Sequence, residues 1–222
     1  MFERYAVYYT PTGELAEVGA SWLGWDSLAG QEVLHPLIDR LDVAALTETP
    51  RKYGIHGTLK PPFYLANGTD AGGLSKAVET LAASLAPVTL DGLEVRRLGG
   101  FLALVPRGDQ AALAALAAKI VMDLDVFRAP PSEAELARRR QGNLSDAQEK
   151  HLNDWGYPYV MDQFRFHITL TGRQKNADAL LPKVTDHFTP VLPRPFVVDA
   201  LTLLGQRADG RFEQIARCPC EG

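Results

Sequence analysis

Aromatic and β-branched residues crowd the stretch Arg4 to Thr10 (RYAVYYT), which stops at Pro11 and reads as an opening strand. From 11 to 50 the pattern breaks up. Gly13, Gly19, Gly24, Gly30 and Pro36 interrupt short apolar runs such as Val33-Leu34 and Leu37-Ile38, as in an insertion of loops and short helices. A second strand runs from Tyr53 to Lys60 and is ended by Pro61-Pro62. Leu74, Val78, Leu81 and Leu85 then recur at helical spacing and predict a helix over 73–85. Val88 to Val105 reads as two strands around Gly99-Gly100, and Asp109 is a candidate N-cap for a helix carrying Leu113, Leu116, Ile120 and Leu124.

Pro130-Pro131 breaks the chain, and Ser132 with Glu135 and Ser145 with Gln148 each have the capping-box form, so a polar helical insertion is expected over about 129–155. The earlier order then returns: a strand over Arg165 to Thr171 (RFHITLT), a helix over 177–188, and strands over 196–204 and 212–218. The interval from His56 to His167 is 167 − 56 = 111 residues, half of the 222-residue chain. An internal repeat of this kind predicts an α+β fold in one 1–222 domain. It would have two pseudo-symmetric lobes, centred on 51–106 and 160–218, each an antiparallel sheet with outer helices around a central cleft.

Composition narrows the functional classes. A net charge of −4 argues against coating extended nucleic acid through broad basic surfaces, although a local basic pocket is compatible with it. The longest alanine/leucine run, Ala111 to Ala118, falls well short of the roughly 18 apolar residues of a membrane span. The opening residues MFERY carry no export pattern, and Cys218 and Cys220 are too few for a disulfide framework, so a cytoplasmic location is expected.

The candidate chemistry lies in His56-Gly57-Thr58-Leu59 and His167-Ile168-Thr169-Leu170, which share the form His-x-Thr-Leu. On a strand, residues two apart share a face, so each repeat presents an imidazole beside a hydroxyl. Two imidazoles converging on a cleft can supply a general base and a general acid near neutral pH without a metal. Two threonine hydroxyls can donate to the non-bridging oxygens of a phosphoryl group. Such a pair predicts a bell-shaped rate profile with limbs near neutral pH.

These motifs, with YGIHGTLKPPF, FRAP, WGYPYV and FRFHITLTG, resemble the 2H phosphoesterase superfamily over nearly the whole chain, and within it the branch associated with phosphonate metabolism. The resemblance implies catalysis by His56 and His167, phosphate binding by Thr58 and Thr169, and a cyclic phosphodiester or a related phosphoester as substrate, of which a small cyclic phosphodiester from phosphonate (ribosyl phosphate) metabolism is the one expected. Lys60-Pro61-Pro62 follows the first motif where RNA-processing members more often continue an apolar strand, which disfavours an RNA end. The rival readings are an RNA 2′,3′-cyclic phosphodiesterase or ligase-like enzyme, and a non-catalytic module that binds a phosphorylated ligand.

Four further residues are candidate substrate ligands. Lys60 would share the face of His56 if its strand were unbroken, and Arg165 that of His167 by the same alternation. Arg128 could hold a phosphate, and Tyr157, in the aromatic run Trp155 to Tyr159, could stack on a sugar or base. Arg138-Arg139-Arg140 fan around a helix, so at most one or two could serve a ligand. His35, His151 and His187 read as structural or exposed. No metal-ligand spacing, P-loop or dinucleotide fingerprint is present, so neither metal nor cofactor is expected.

Overall fold

The computed structural model describes residues 2–222. Eleven strands and seven α-helices follow the order β1 (Tyr5–Tyr9), α1 (Gly13–Leu23), β2 (Trp25–Asp26), β3 (Gln31–Glu32), α2 (Val43–Arg51), β4 (Gly57–Phe63), α3 (Ala71–Ala83), β5 (Val88–Leu90), β6 (Gly92–Leu98), β7 (Phe101–Arg107), α4 (Ala111–Asp123), α5 (Glu133–Arg140), α6 (Asp146–Trp155), β8 (Ile168–Thr169), α7 (Ala177–Phe188), β9 (Phe196–Val198), β10 (Ala200–Gln206) and β11 (Phe212–Pro219). The fold is α+β, as the strand and helix periods require.

Seven strands form one sheet in the order β11-β10-β1-β4-β8-β7-β6, antiparallel throughout. β4 and β8, the two motif strands, are its central neighbours. Each motif strand is flanked by a hairpin from the other repeat: β4, through β1, by β10–β11, and β8 by β6–β7. Helix α3, which follows β4, packs on β10 and β11, and α7, which follows β8, packs on β6 and β7. β5 and β9 cross between the two halves and pair with each other, Val88 opposite Val198.

The odd residues Tyr5, Val7 and Tyr9 of β1 face the main core, which they share with Leu201 and Leu203 and with apolar side chains of α1, α2, α3, α4 and α7. Its members are buried on one face of the sheet, and the other face is left to a small cluster of Ala6, Tyr8, Leu204 and Phe212 with Tyr53 packed on it. The division follows from strand alternation, because polar Thr58, His167 and Thr169 fall on the even-residue face of β1.

Several expectations change. The second strand begins at Gly57 and runs through Pro61-Pro62 to Phe63 instead of spanning Tyr53 to Lys60. Residues 11–50 hold α1 and α2 with the β2–β3 hairpin between them. The glycines there are packing and capping devices: Gly24 closes α1 in the left-handed conformation (φ 75°), and Gly19 lies so close to Ile55 that a Cβ would overlap its side chain. The strand expected over 165–171 shrinks to Ile168–Thr169, because the amides of Leu170 and Thr171 both donate to the Leu102 carbonyl and end the ladder. In the insertion, Ser145 and Gln148 form a complete capping box, whereas Ser132 only accepts from the Glu135 amide. No helix among the described residues is long and apolar enough to cross a membrane.

Candidate active site

Gly57 on β4 pairs with Ile168 on β8. In an antiparallel ladder this register sets His56 across from Thr169 and Thr58 across from His167, with directly opposed Cβ atoms about 4.5–5.5 Å apart. The repeats are thus crossed: each histidine faces the other motif's threonine. The two histidines lie on a diagonal, a spacing of about 7–8 Å in such a ladder, with the two hydroxyls on the other diagonal. All four side chains are half-buried, and neither hydroxyl has a protein partner among the described residues.

The close approach of the strands depends on Gly57. A Cβ there would run into the ring of Phe166, the residue before the second histidine. Helix α1 supports both motifs from the core side, Gly19 against Ile55 and the Trp22 indole donating to the Leu170 carbonyl at 2.7 Å.

Both rings are fixed by the same device. Nδ1 of His56 lies 2.9 Å from the Gly54 carbonyl, and Nδ1 of His167 lies 2.8 Å from the Arg165 carbonyl, in each case two residues back. A carbonyl only accepts, so Nδ1 carries the hydrogen and Nε2 is left for chemistry: an acceptor when the ring is neutral, a donor when it is protonated.

Their surroundings differ. The outer neighbour of Thr58 is Tyr8, fully buried and stacked on His56 with ring centroids 4.0 Å apart. Tyr53 stands 5.6 Å from His56 and stacks on Phe212. The outer neighbour of Thr169 is Ala103, and the ring of Phe101 lies 5.6 Å from that of His167. Burial lowers the pKa of His56 to about 4, with a further push from the neighbouring His167, against the raising effect of the Gly54 bond. A titration near 4 would carry any limb of a rate profile set by His56 well below neutrality.

Lys60 does not join the site. The pairing shifts from Tyr8 opposite Thr58 to Val7 opposite Lys60, a bulge that turns Lys60 onto the core face with Val7. It is 2% exposed and donates to the Val121 carbonyl at 3.1 Å and to Asp125 at 3.4 Å. Burial lowers its pKa to about 8, against the Asp125 charge. Arg128 is committed elsewhere as well, to both oxygens of Asp125 at 2.7 and 3.0 Å and to the Asp154 carbonyl. Arg165 is exposed, precedes the short β8, and donates to the carbonyls of Asp162 and Phe164.

Tyr157 is half-buried beneath Arg139, whose guanidinium lies 4.6 Å from the ring centroid. Its ring meets that of Tyr159 edge-on at 5.8 Å, and burial raises its pKa. Sequence pattern does not single out Tyr8, Tyr53 or Phe101. Tyr8 is legible only as one of three tyrosines on a strand, because the register of that strand against β4 decides which of them meets a histidine. Among the described residues no group of three His, Cys, Asp or Glu side chains is placed to hold a metal ion, and both cysteines are free and buried.

Residues 58–213 match the family described as "Protein of unknown function (DUF1045)", and the chain belongs to that family. Curated relatives named ribose 1,5-bisphosphate phosphokinase PhnN are 36% identical in Janthinobacterium sp. (strain Marseille), over 99% of this chain, and 33% identical in Laribacter hongkongensis (strain HLHK9), over 96%. The chain spans about half the length of these relatives, 51% of each. Among solved structures, E. coli LigT complexed with 3′-AMP is similar at a TM-score of 0.48 and 15% identity, over 100% of both chains. TT0787 of Thermus thermophilus is similar at 0.46 and 15% identity, over 99% of this chain and 98% of that one.

Proposed function

We propose that the protein hydrolyses a small cyclic phosphodiester by two-histidine acid–base catalysis. The observation that carries this reading is the crossed quartet with both Nδ1 atoms tied to carbonyls. His56, held neutral against Tyr8, takes a proton from water through Nε2 as the water oxygen forms its bond to phosphorus. The bond from phosphorus to one ring oxygen breaks, and protonated His167 delivers its Nε2 proton to the departing alkoxide. The product is a phosphomonoester with a free hydroxyl. Thr58 and Thr169 donate to the non-bridging oxygens as charge builds on them.

A ribosyl cyclic phosphate is the substrate we favour. Opening a ribose 1,2-cyclic phosphate at O2 leaves a phosphomonoester on C1, the kind of group present in the ribose 1,5-bisphosphate named for the curated relatives. The phosphokinase activity in that name is not carried over, since this chain holds no Gly-x-x-x-x-Gly-Lys-Ser/Thr loop to cradle a nucleotide. The test is turnover of ribose 1,2-cyclic phosphate and of nucleoside 2′,3′-cyclic phosphates by wild type, His56→Ala and His167→Ala. A loss of about 10²- to 10⁴-fold in kcat/KM is expected for each variant. Preference for the nucleoside substrates would move the assignment to RNA-type chemistry. Ligand binding without turnover would favour the non-catalytic module.

A further inference from the structure

The hydrogen on Nδ1 of His56 and of His167 depends on a carbonyl two residues back, and the two carbonyls are held by different means. Gly54 closes helix α2: its amide donates to the Arg51 carbonyl at 3.0 Å, and the Tyr53 amide donates to the Pro50 carbonyl at 3.0 Å. Arg165 has no helix end behind it. It follows a single 3-10 turn over Met161–Gln163, and its strand does not begin until Ile168. Met161, at the start of that turn, stands in the left-handed region (φ 55°), which a residue with a side chain adopts at a cost.

Helix α6 of the insertion grips this turn from outside. His151 and Gln148, one helical turn apart on the same face, reach it together. His151 Nε2 meets the Asp162 carboxylate, and the Gln148 side-chain amide donates to the Gln163 side-chain carbonyl at 3.4 Å. Gln163 in turn donates to the other Asp162 oxygen at 3.1 Å. Nη1 of Arg165 then donates to the backbone carbonyls of Asp162 at 3.2 Å and Phe164 at 2.7 Å. The contacts therefore run from α6 through Asp162 to Arg165, whose own carbonyl faces Nδ1 of His167 at 2.8 Å.

His151 suits such a contact. Its side chain is 12% exposed, and its Nδ1 is buried without a partner among the described residues, so a hydrogen there would be unsatisfied. The ring carries its hydrogen on Nε2 and donates it to the carboxylate, the reverse of the arrangement at His56 and His167. That bond, with the one from Gln163, holds the Asp162 carboxyl below its usual pKa.

We propose that the contact between His151 and Asp162 is a buttress that fixes the tautomer and aim of His167, so that the helical insertion serves the site by supporting its second histidine. His151 and Asp162 are positioning residues, and neither touches the reacting atoms. The inference rests on the two-histidine reading and adds how the acid of that pair is presented.

The experiment combines nitrogen-15 spectra of the histidine side chains, taken at mildly alkaline pH, with kcat and KM for ribose 1,2-cyclic phosphate, in wild type, Asp162→Ala, His151→Leu and His151→Gln. Wild type should show His56 and His167 with the hydrogen on Nδ1 and His151 with it on Nε2. In Asp162→Ala and His151→Leu the His167 signal should move to a mixture of tautomers while that of His56 stays. There kcat should fall roughly 10- to 100-fold with KM within a few-fold of wild type. His151→Gln, whose amide can still donate to Asp162, should recover most of that loss. An unchanged His167 tautomer, an equal change at both histidines, or a rise in KM with kcat unaltered overturns the inference. The two His151 variants carry the same test should Asp162→Ala fail to fold. If wild type does not turn the substrate over, the phosphodiesterase reading falls alone, and the His167 tautomer in the variants decides the buttress.

Discussion

At His56 a stacked tyrosine and a backbone carbonyl act in opposite directions on the same ring. Burial against Tyr8 favours the neutral imidazole, and the Gly54 carbonyl favours a hydrogen on Nδ1, so the ring stays neutral with Nε2 unprotonated down to a pH near 4. An ordinary imidazole base, titrating near 6.5, would lose activity below neutrality. Here the acid limb of kcat/KM set by His56 is expected near pH 4. Tyr8→Leu, which removes the stacked ring and loosens the burial, should move that limb back towards 6.5. The measurement is a kcat/KM profile from pH 3.5 to 9 on both proteins, and an identical limb in the two would show that Tyr8 does not set it.

Lys60 is the complementary case, a cation whose spacing suggests a phosphate ligand and which a bulge turns away. Its pKa is depressed to about 8 in the folded chain, below the unfolded value near 10.4. The unfolded state therefore binds more protons between those values, and stability rises with pH through that window. Lys60→Met should abolish that rise in denaturant titrations at pH 8 and 10, while kcat/KM at pH 7 stays within a few-fold of wild type. A loss of 10²-fold in kcat/KM would return Lys60 to the phosphate.

Among the elements, the contact between β4 and β8 is the narrowest and the most consequential. It is sustained by Gly57, where any side chain would displace Phe166. Gly57→Ala should cost on the order of 1–3 kcal/mol through overpacking. For a chain of this size that is a fall in Tm of about 2–4 °C per kcal/mol. It should also lower kcat more than any stability-matched core substitution, since it spreads the quartet. Normal kcat with normal Tm would mean that the strands need no such approach.

The elements also mark what can be read in advance. The helices at 71–83, 111–123 and 177–188, and the strands around them, carry strong apolar periods and are legible from the sequence. Helix α1 is not, because Gly19, the residue that lets it approach Ile55, looks locally like a loop signal. The same logic holds at the site. The His-x-Thr pairs are legible as a repeated local motif. Their crossing, the bulge at Lys60 and the Tyr8 stack depend on register between distant strands, which no local pattern encodes.

In the whole molecule the two repeats exchange hairpins, so neither half holds the outer strands that flank its own motif strand. The sheet's centre, where the chemistry is assigned, exists only when both halves have folded together. Thermal unfolding followed by near- and far-ultraviolet circular dichroism should accordingly show one coincident transition, and separate transitions for the two signals would contradict this coupling.

The most direct test of the central claim is hydrolysis of ribose 1,2-cyclic phosphate in excess EDTA by wild type and by the His56→Ala/His167→Ala double variant. Turnover by wild type, with loss to background in the double variant, is the predicted result. Turnover that needs added metal, or that survives removal of both histidines, would contradict the two-histidine account.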